Sequence, residues 1–231
     1  MNTAGEYRHE LKYQIDYIQF LELRQRLKTV MRPDIHTDAA GHYLIRSVYF
    51  DNLNDKVLRE KTDGVQRREK FRIRYYNDDL NFIKLEKKMK YNNLCMKLDA
   101  EITQEQCRSI LSGENCQWML EHPSGIIGEL YCKMKTQQLR PRVTVSYVRE
   151  PYVYPAGNVR VTFDSYVRTS LYCMEFMEPE VHDISAMDNP EDIILEIKYD
   201  AFLPEIISHM IQTEGIRQSA FSKYAACRRF G

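Results

Sequence analysis

Six stretches of the 231-residue chain alternate apolar with charged residues at a period of two. This is the period of a β-strand, in which successive side chains point to opposite faces. The pattern therefore predicts strands that pack one face against apolar groups and carry charge on the other. The predicted strands are 7–15, 71–75, 83–88, 94–102, 159–168 and 193–199.

The charged faces of these strands are mixed in sign but mostly basic, although the chain as a whole has a net charge of zero. Ten basic residues stand on them: Arg8, Lys12, Arg72, Arg74, Lys84, Lys88, Lys97, Arg160, Arg168 and Lys198. Six acidic residues accompany them: Glu10, Glu86, Asp99, Glu101, Asp164 and Glu196. The strand pattern alone favours an antiparallel sheet whose polar side faces water. Arg and Lys at matched positions on strand after strand instead favour a surface that coordinates a polyanion.

The rest of the chain predicts more strands, joined mainly by tight turns, and a few helices. Strands are expected at 43–51, 67–77, 80–91 and 141–154, with turns at 77–79, 92–93 and 155–158. Helices are expected at 16–30, 54–61, 126–138 and 204–215. A capping box at Thr103 and Gln106 predicts the start of another helix, and a final short helix is expected to start at Ser222. A loop is expected at 178–190.

This order of elements indicates an α+β fold with an antiparallel sheet that is closed or nearly closed. If the sheet closes, the apolar faces lie outside under the helices and the charged faces line a tunnel. We expect one domain over residues 1–231, with a helical insertion around 103–140.

Composition excludes several other classes of protein. No stretch approaches the roughly 20 apolar residues of a membrane-spanning helix, and the N-terminus has no signal-peptide core, so we expect a cytoplasmic protein. The six cysteines show no CxxC pair and no histidine at ligand spacing, which argues against zinc and disulfides. Zero net charge argues against a general nucleic-acid binder, and there is no Gly-rich phosphate loop.

Seven short segments, in this order along the chain, resemble one known family. They are RHELKY at 8–13, SVYFD at 47–51, FRIRY at 71–75, LEKK at 85–88, VRVTFD at 159–164, LEIK at 195–198 and FSKY at 221–224. Each is weak alone, but the ordered set is similar to the catalytic domain of vacuolar transporter chaperone (VTC) polyphosphate polymerases. That domain belongs to the triphosphate tunnel metalloenzyme superfamily, which includes the CYTH proteins.

The resemblance implies an antiparallel β-barrel tunnel with helices packed outside, which binds a triphosphate through basic side chains and a divalent metal through carboxylates. The phosphate ligands it implies are Arg8, Lys12, Arg72, Arg74, Lys88, Lys97, Arg160 and Lys198, with one more from the 141–154 strand, either Arg142 or Arg149. It implies Glu196 as a ligand of Mn²⁺ or Mg²⁺, with Glu10 as a candidate second ligand. The catalytic residues it implies are Lys223, Lys198 and Glu196.

Two positions depart from the family pattern. The first-strand signature of the superfamily is Glu-x-Glu-x-Lys, and Arg8 replaces its first glutamate, as in the VTC branch. A second lysine that precedes the terminal one in yeast-type enzymes corresponds to about Ala220 here. The second departure bears on polymer synthesis more than on phosphate binding.

Three functions therefore compete. The first is a metal-dependent polymerase that transfers the γ-phosphoryl of ATP, or another triphosphate, to inorganic polyphosphate. The second uses the same tunnel as a tripolyphosphatase or nucleoside triphosphatase, and the third is a non-catalytic polyphosphate- or nucleotide-binding module. The first is favoured, because both Glu10 and Glu196 are present and Arg8 weighs against hydrolysis. The sequence identifies no protein partner.

Simpler interpretations of single residues also stand. Glu196 and Lys198 would serve equally in an ordinary cross-strand salt-bridge network. Lys223 would fit a solvated helix position as well as a site.

Overall fold

The computed structural model describes residues 7–92 and 94–230. The predicted turn at 92–93 includes Asn93, which lies outside the described residues. The strands are β1 (Arg8–Ile15), β2 (Arg32–Pro33), β3 (Tyr43–Asp51), β4 (Arg67–Tyr76), β5 (Asp79–Tyr91), β6 (Leu94–Ile102), β7 (Arg140–Tyr154), β8 (Val159–Ser170), β9 (Ile184–Ser185) and β10 (Ile193–Tyr199). The helices are α1 (Tyr17–Lys28), α2 (Lys56–Thr62), α3 (Gln104–Ser112), α4 (Trp118–Glu121), α5 (Gly125–Thr136), α6 (Glu205–Met210) and α7 (Lys223–Cys227).

Eight of the strands close into a ring, which confirms the predicted fold class. Their order around the ring is β7, β3, β4, β5, β6, β1, β10 and β8, and β8 pairs back with β7. Every pairing in the ring is antiparallel. The short strands β2 and β9 extend the sheet at β7 and β8. Among the described residues, the shortest pairing in the ring joins β1 to β6 through two residue pairs.

The apolar faces of the strands lie outside the ring, as the alternation predicts. Helices α3 and α5 cover β4 and β5, where Phe71, Ile73 and Leu85 pack in one buried cluster. Helices α1 and α6 cover β8 and β10 in a second cluster that contains Leu23 and Leu195. Fully burying an aliphatic or aromatic side chain contributes roughly 1.5–3 kcal/mol, so these two outer layers stabilise the ring. The opposite faces of the same strands line the interior.

A third apolar cluster lies on the interior face of β3, β7 and β8. It includes Tyr49, Val145 and Tyr147, and helix α7 adds Tyr224 and Cys227. Part of the interior is therefore filled by packed side chains, and the charged residues occupy the remaining part. The period-two pattern did not predict that a C-terminal helix would pack on the interior face.

A β-bulge in β8 corrects the predicted face of Arg168. Two residues of β8, Tyr166 and Val167, lie between the positions that face Ser146 and Val148, where β7 has one residue, and Tyr166 has φ of 52°. The extra residue reverses the alternation. Asp164 therefore lies inside the ring, whereas Arg168 pairs with Asp183 at 2.6 Å and is about half exposed (48%).

The predicted helix boundaries are correct at several N-termini and wrong at some C-termini. The capping box at Thr103 and Gln106 is present at the start of α3, and Ser222 caps α7. Helix α6 ends at Met210, five residues before the predicted end at Gly215. The predicted loop at 178–190 contains the short strand β9.

All six cysteines are free thiols. Within residues 7–92 and 94–230, none of the helices has the length and apolar character needed to cross a membrane.

Candidate functional site

Two buried carboxylates on neighbouring strands form the centre of the interior charge cluster. The register of β1 and β10 places Glu10 opposite Lys198 and Lys12 opposite Glu196, so acid and base alternate across the pair. The Lys12 Nζ lies 3.0 Å from Glu10 and 3.3 Å from Glu196. The Lys198 Nζ lies 2.5 Å from Glu196, and the Lys88 Nζ lies 2.5 Å from Glu10. Glu10 and Glu196 are therefore held side by side by shared lysines.

Both carboxylates of this pair are ionised at neutral pH. Burial by itself would raise the pKa of Glu10, but Lys12 and Lys88 hold it below its usual range. Burial likewise opposes ionisation of Glu196, and Lys198 and Lys12 bring its pKa well below the usual value. Burial lowers the pKa of Lys198 to about 8, against the attraction of the two glutamates.

A second cluster surrounds Glu86 of β5, which is almost completely buried. Its carboxylate accepts from the Arg72 Nε at 2.6 Å and lies 3.8 Å from Arg74 and 3.2 Å from Lys97. Burial opposes ionisation, and the two arginines nevertheless hold the pKa of Glu86 well below its usual value. Arg72 also donates to the Tyr49 hydroxyl at 2.9 Å.

Hydrogen bonds to β3 and β7 fix the second arginine of this cluster. Arg74 donates to the Ser47 Oγ at 2.9 Å and to the Tyr147 hydroxyl at 3.1 Å. Arg74 and both of these partners are buried, so the hydrogen bonds orient its guanidinium group. Lys97 is the most exposed member of the cluster, at 47%, and it also contacts Asp99 at 3.0 Å.

A third cluster surrounds Asp164, which has no solvent-exposed surface. Arg149 grips both of its oxygens, at 2.6 and 2.7 Å, and the Lys223 Nζ lies 2.5 Å away. Arg149 also lies 3.9 Å from Glu196, so this cluster adjoins the Glu10 and Glu196 pair. Burial opposes ionisation of Asp164, and Arg149 and Lys223 lower its pKa despite this.

The position of Lys223 follows from how α7 is fixed. Ser222 caps the helix, and the Tyr224 hydroxyl donates to Asp51 at 2.6 Å. Asp51 also accepts from the backbone N–H groups of Val57 and Leu58 at the start of α2. Strand β3, α2 and α7 therefore share one buried carboxylate, and this arrangement directs Lys223 to the interior.

Sequence reasoning missed Lys70, which lies on β4 on the same face as Arg72 and Arg74. Its Nζ lies 5.0 Å from the centroid of the Tyr49 ring. Burial lowers the pKa of Lys70 to about 7, and Arg72 and Lys70 act against burial to bring that of Tyr49 to about 7. The period-two rule could have found Lys70, because it lies two residues before Arg72, but the predicted charged face began at residue 71.

Most of the predicted site residues lie together in these clusters. The structure joins Lys12, Arg72, Arg74, Lys88, Lys97, Arg149, Lys198 and Lys223 to Glu10, Glu86, Asp164 and Glu196 through the contacts described above. With Lys70, the set has nine basic side chains, against five carboxylates when Asp99, which pairs with Lys97, is included. Such an excess inside a closed ring favours binding of a polyanion.

Three predicted phosphate ligands lie outside these clusters. Arg8 pairs with Asp200 at 2.7 Å. Arg160 pairs with Asp34 at 2.9 Å and donates to the Tyr43 hydroxyl. Arg142 lies 3.4 Å from Asp55 beside α2, away from the carboxylates of the site. Of the two alternatives on β7, the structure thus brings Arg149 to the site and leaves Arg142 outside it.

The donor set fits a divalent metal that binds together with a phosphate ligand. In the part of the chain that the structure describes, no three or more His, Cys, Asp or Glu side chains are grouped as metal ligands. Mg²⁺ sites in phosphate enzymes commonly use one or two carboxylates and complete the coordination with substrate oxygens and water. Glu10 and Glu196 supply two adjacent ionised carboxylates of this kind.

Comparison with known proteins identifies the family. The family model described as the VTC domain matches residues 7–230. The chain belongs to the VTC domain family. The resemblance proposed from the ordered sequence segments is thereby confirmed. No curated protein matches the chain significantly.

Solved structures with the same fold include two named as candidate cyclases. One is a protein from Hippeastrum, a candidate adenylyl cyclase described as having a dominant triphosphatase activity, with 14% identity, a TM-score of 0.55 and coverage of 97% of this chain and 96% of that one. Another is a candidate adenylate cyclase from Bacillus halodurans, with 14% identity, a TM-score of 0.52 and coverage of 91% and 88%. At this identity the similarity establishes the shared fold of the VTC-domain protein.

Proposed function

We propose that the VTC-domain protein is a metal-dependent polyphosphate polymerase that transfers the γ-phosphoryl group of ATP to the end of a polyphosphate chain. The observation that carries this proposal is the surplus of basic side chains over carboxylates inside a closed ring, with three lysines in contact with two adjacent ionised glutamates. Membership of the VTC domain family supports it.

The arginines, lysines and glutamates of the site would have different roles. Arg72, Arg74 and Arg149 are held in fixed geometry and would neutralise phosphate oxygens through planar guanidinium groups. Lys12, Lys88 and Lys198 would move from their glutamates onto phosphate oxygens. This movement would release Glu10 and Glu196 to hold Mn²⁺ or Mg²⁺.

Phosphoryl transfer depends mainly on positioning and charge neutralisation. Glu10 and Glu196 would hold a divalent metal, whose positive charge would stabilise the negative charge that develops during transfer. An oxygen of the terminal phosphate of the chain attacks the γ-phosphorus, the bond from this phosphorus to the β,γ-bridging oxygen breaks, and ADP leaves. The attacking oxygen is already anionic, so no side chain has to act as general base.

Hydrolysis of the triphosphate is the second candidate. The observation that favours it is the fold shared with the Hippeastrum protein, whose dominant activity is described as triphosphatase. In this reaction water replaces the polyphosphate end, and Glu10 or Glu196 would accept a proton from it. A non-catalytic phosphate-binding module is the third candidate. Two adjacent ionised glutamates weigh against it, because negative charge does not help to bind phosphate in the absence of a metal.

One experiment separates these candidates. The purified protein is incubated with ATP and Mn²⁺, the products are separated on a gel stained for polyphosphate, and free phosphate is measured in the same samples. Long chains would support the polymerase, whereas free phosphate without chains would favour the hydrolase. Neither product would favour the binding module. Asp183→Asn, which alters an outer salt bridge on β8, serves as the matched control for site variants.

A further inference from the structure

The segment between β8 and β10 exposes large apolar side chains on the outer side of the ring. It contains β9 and a short 3₁₀ helix, Cys173–Met177. Cys173, Phe176 and Met177 of this helix lie in the buried cluster that α3 and α5 form with β4 and β5. Four other apolar side chains of the segment are between 47% and 64% exposed: Leu171, Tyr172, Met174 and Ile184.

Hydrogen bonds fix this segment to the outer face of the strands. The Tyr75 hydroxyl donates to the Phe176 carbonyl at 2.6 Å, and the Arg46 guanidinium donates to the Glu178 carbonyl at 2.7 Å. The Phe176 side chain is completely buried. The segment cannot turn its exposed apolar side chains inward without breaking these bonds and withdrawing Phe176 from the core.

The exposed side chains belong to one continuous face. Ile184 of β9 pairs with Thr169 of β8, which lies two residues before Leu171. The rings of Tyr172 and His182 meet edge to face, with their centroids 6.2 Å apart. The end of β8, the start of the 3₁₀ helix and β9 therefore bring their apolar side chains to the same part of the surface.

The charge of this part of the chain is entirely acidic. Residues 169–197 include no Lys or Arg, although the chain as a whole is neutral. Glu178 and Glu180 are exposed, and among the described residues neither side chain forms an ion pair. Glu175 contacts only a histidine, His182, at 3.1 Å. The acidic apolar face, as we term it, consists of Leu171, Tyr172, Met174, Glu175, Glu178, Glu180 and Ile184.

The chemistry of this face determines which kind of partner it can bind. Tyr and Met are enriched in protein interfaces, and side chains on a fixed backbone lose little entropy on binding. Unpaired carboxylates attract Lys and Arg and repel phosphate groups, which argues against nucleic acid and anionic lipid. A helix with apolar residues on one side and Lys or Arg beside them complements both the apolar groups and the charge.

A second copy of this chain complements the face less well. The exposed apolar residues of α1 lie at its start, where they include Tyr17 and Ile18. The residue before them is Asp16, and the Arg26 guanidinium further along α1 is paired with Glu22. The apolar end of α1 therefore lacks free positive charge for the unpaired glutamates.

We propose that the acidic apolar face binds a basic amphipathic helix of a partner protein. The face lies outside the ring, so the inference does not depend on the chemistry proposed for the interior. Four apolar anchors make a small interface, and interfaces below about 1,200 Å² are typical of weak and transient contacts. We therefore expect affinity in the micromolar range and a decrease of affinity with added salt.

The test measures peptide binding by fluorescence anisotropy. The probe is a synthetic helix of roughly 18 residues, with Leu on one side and Lys on the other. A shuffled peptide of the same composition lacks the apolar side, and a Leu and Glu helix has the opposite charge. The apolar variant combines Tyr172→Ser and Met174→Ser, and the charge variant combines Glu178→Gln and Glu180→Gln. The control variant, Tyr17→Ser and Ile18→Ser, changes a similarly exposed pair on α1.

The unmodified protein and the control variant should bind the Leu and Lys helix with a Kd on the order of 10 µM. The apolar variant should lose about tenfold in affinity, and the charge variant should lose severalfold and show a weaker salt dependence. Thermal unfolding followed by circular dichroism should show the same Tm for all four proteins, because the substituted side chains are exposed. Equal affinity of the apolar variant and the control variant would overturn the inference. Equal binding of the shuffled peptide, or of the Leu and Glu helix, would also overturn it.

Two measurements distinguish other occupants of the face. Self-association of the unmodified protein in sedimentation, if the apolar variant abolished it, would assign the face to a second copy and overturn the proposal. Binding to vesicles of anionic phospholipid, if lost in the apolar variant, would assign it to a membrane surface and overturn the proposal in the same way. A monomer that binds neither vesicles nor the Leu and Glu helix, and that binds the Leu and Lys helix, would support it.

Discussion

Replacing the buried carboxylate of Asp164 should strongly destabilise the VTC-domain protein. In Asp164→Asn, Arg149 and Lys223 remain buried and lose the charge that both contact at 2.5–2.7 Å. Removing one partner of a buried ion pair typically costs about 3–5 kcal/mol, because the remaining charge is uncompensated. For a chain of this length, that corresponds to a fall in Tm of roughly 6–20 °C.

The loss of unfolding free energy in Asp164→Asn should depend on pH in a defined direction. Contacts with the two cations lower the pKa of Asp164 in the folded state, against the effect of burial. Its stabilising contribution is therefore fully present above the unfolded pKa, about 3.9 for aspartate, and is lost as the pH falls through the folded value. The difference in unfolding free energy between Asp164→Asn and the unmodified protein should be constant near neutral pH and should narrow in acid.

Urea denaturation followed by circular dichroism measures the effect, with Asp183→Asn as control. Asp183 also pairs with an arginine of β8, but its partner Arg168 is about half exposed, so the expected loss is only about 0–1 kcal/mol. Equal losses in the two variants would refute the reasoning, because burial would then not determine the cost. Tripolyphosphate should raise the stability of Asp164→Asn more than that of the unmodified protein, since it supplies the missing anion.

Three other predictions concern the metal, a proton and the outer core. Glu196→Gln should lose most of the Mn²⁺-dependent turnover and retain tripolyphosphate binding in EDTA; unchanged turnover would show that the metal assignment is wrong. Tripolyphosphate binding near pH 8 should take up protons, because an anion raises the pKa of Lys70 from about 7 and that of Lys198 from about 8. Calorimetry in two buffers with different ionisation enthalpies should show an uptake that Lys70→Met reduces, and an unchanged uptake would contradict the assignment to Lys70. Ile127→Ala, in the fully buried core under α5, should lose about 2–5 kcal/mol in urea denaturation and leave tripolyphosphate affinity unchanged.

Local alternation predicted which side chains share a face within a single regular strand. Because a strand has a period of two, Glu10 and Lys12 must share a face, and the same holds for Glu196 and Lys198. A sheet with one apolar face and one charged face then has few ways to bury the apolar one. The closed ring with helices outside follows from this segregation.

Features that depend on long-range pairing or on a change of period could not be predicted. The bulge at Tyr166 reverses the face of β8 and carries Arg168 outside. Arg142 and Arg149 lie on the same strand, and only the pairing of β7 with β8 brings Arg149 opposite Asp164. No local pattern indicates that α7 packs on the interior face with Tyr224 on Asp51.

The four buried carboxylates differ in whether an arginine or a lysine makes their shortest contacts. This difference indicates which of them would be free to bind a metal. Arg149 grips Asp164 at both oxygens, and the Arg72 fork holds Glu86. A planar guanidinium fork fixes a carboxylate in a specific geometry, whereas a lysine is a point charge on a flexible stem. The shortest contacts of Glu10 and Glu196 are with lysines, which can swing onto an incoming phosphate. We therefore expect Asp164 and Glu86 to keep their arginines in place during turnover, and Glu10 and Glu196 to exchange lysine for metal when the triphosphate binds.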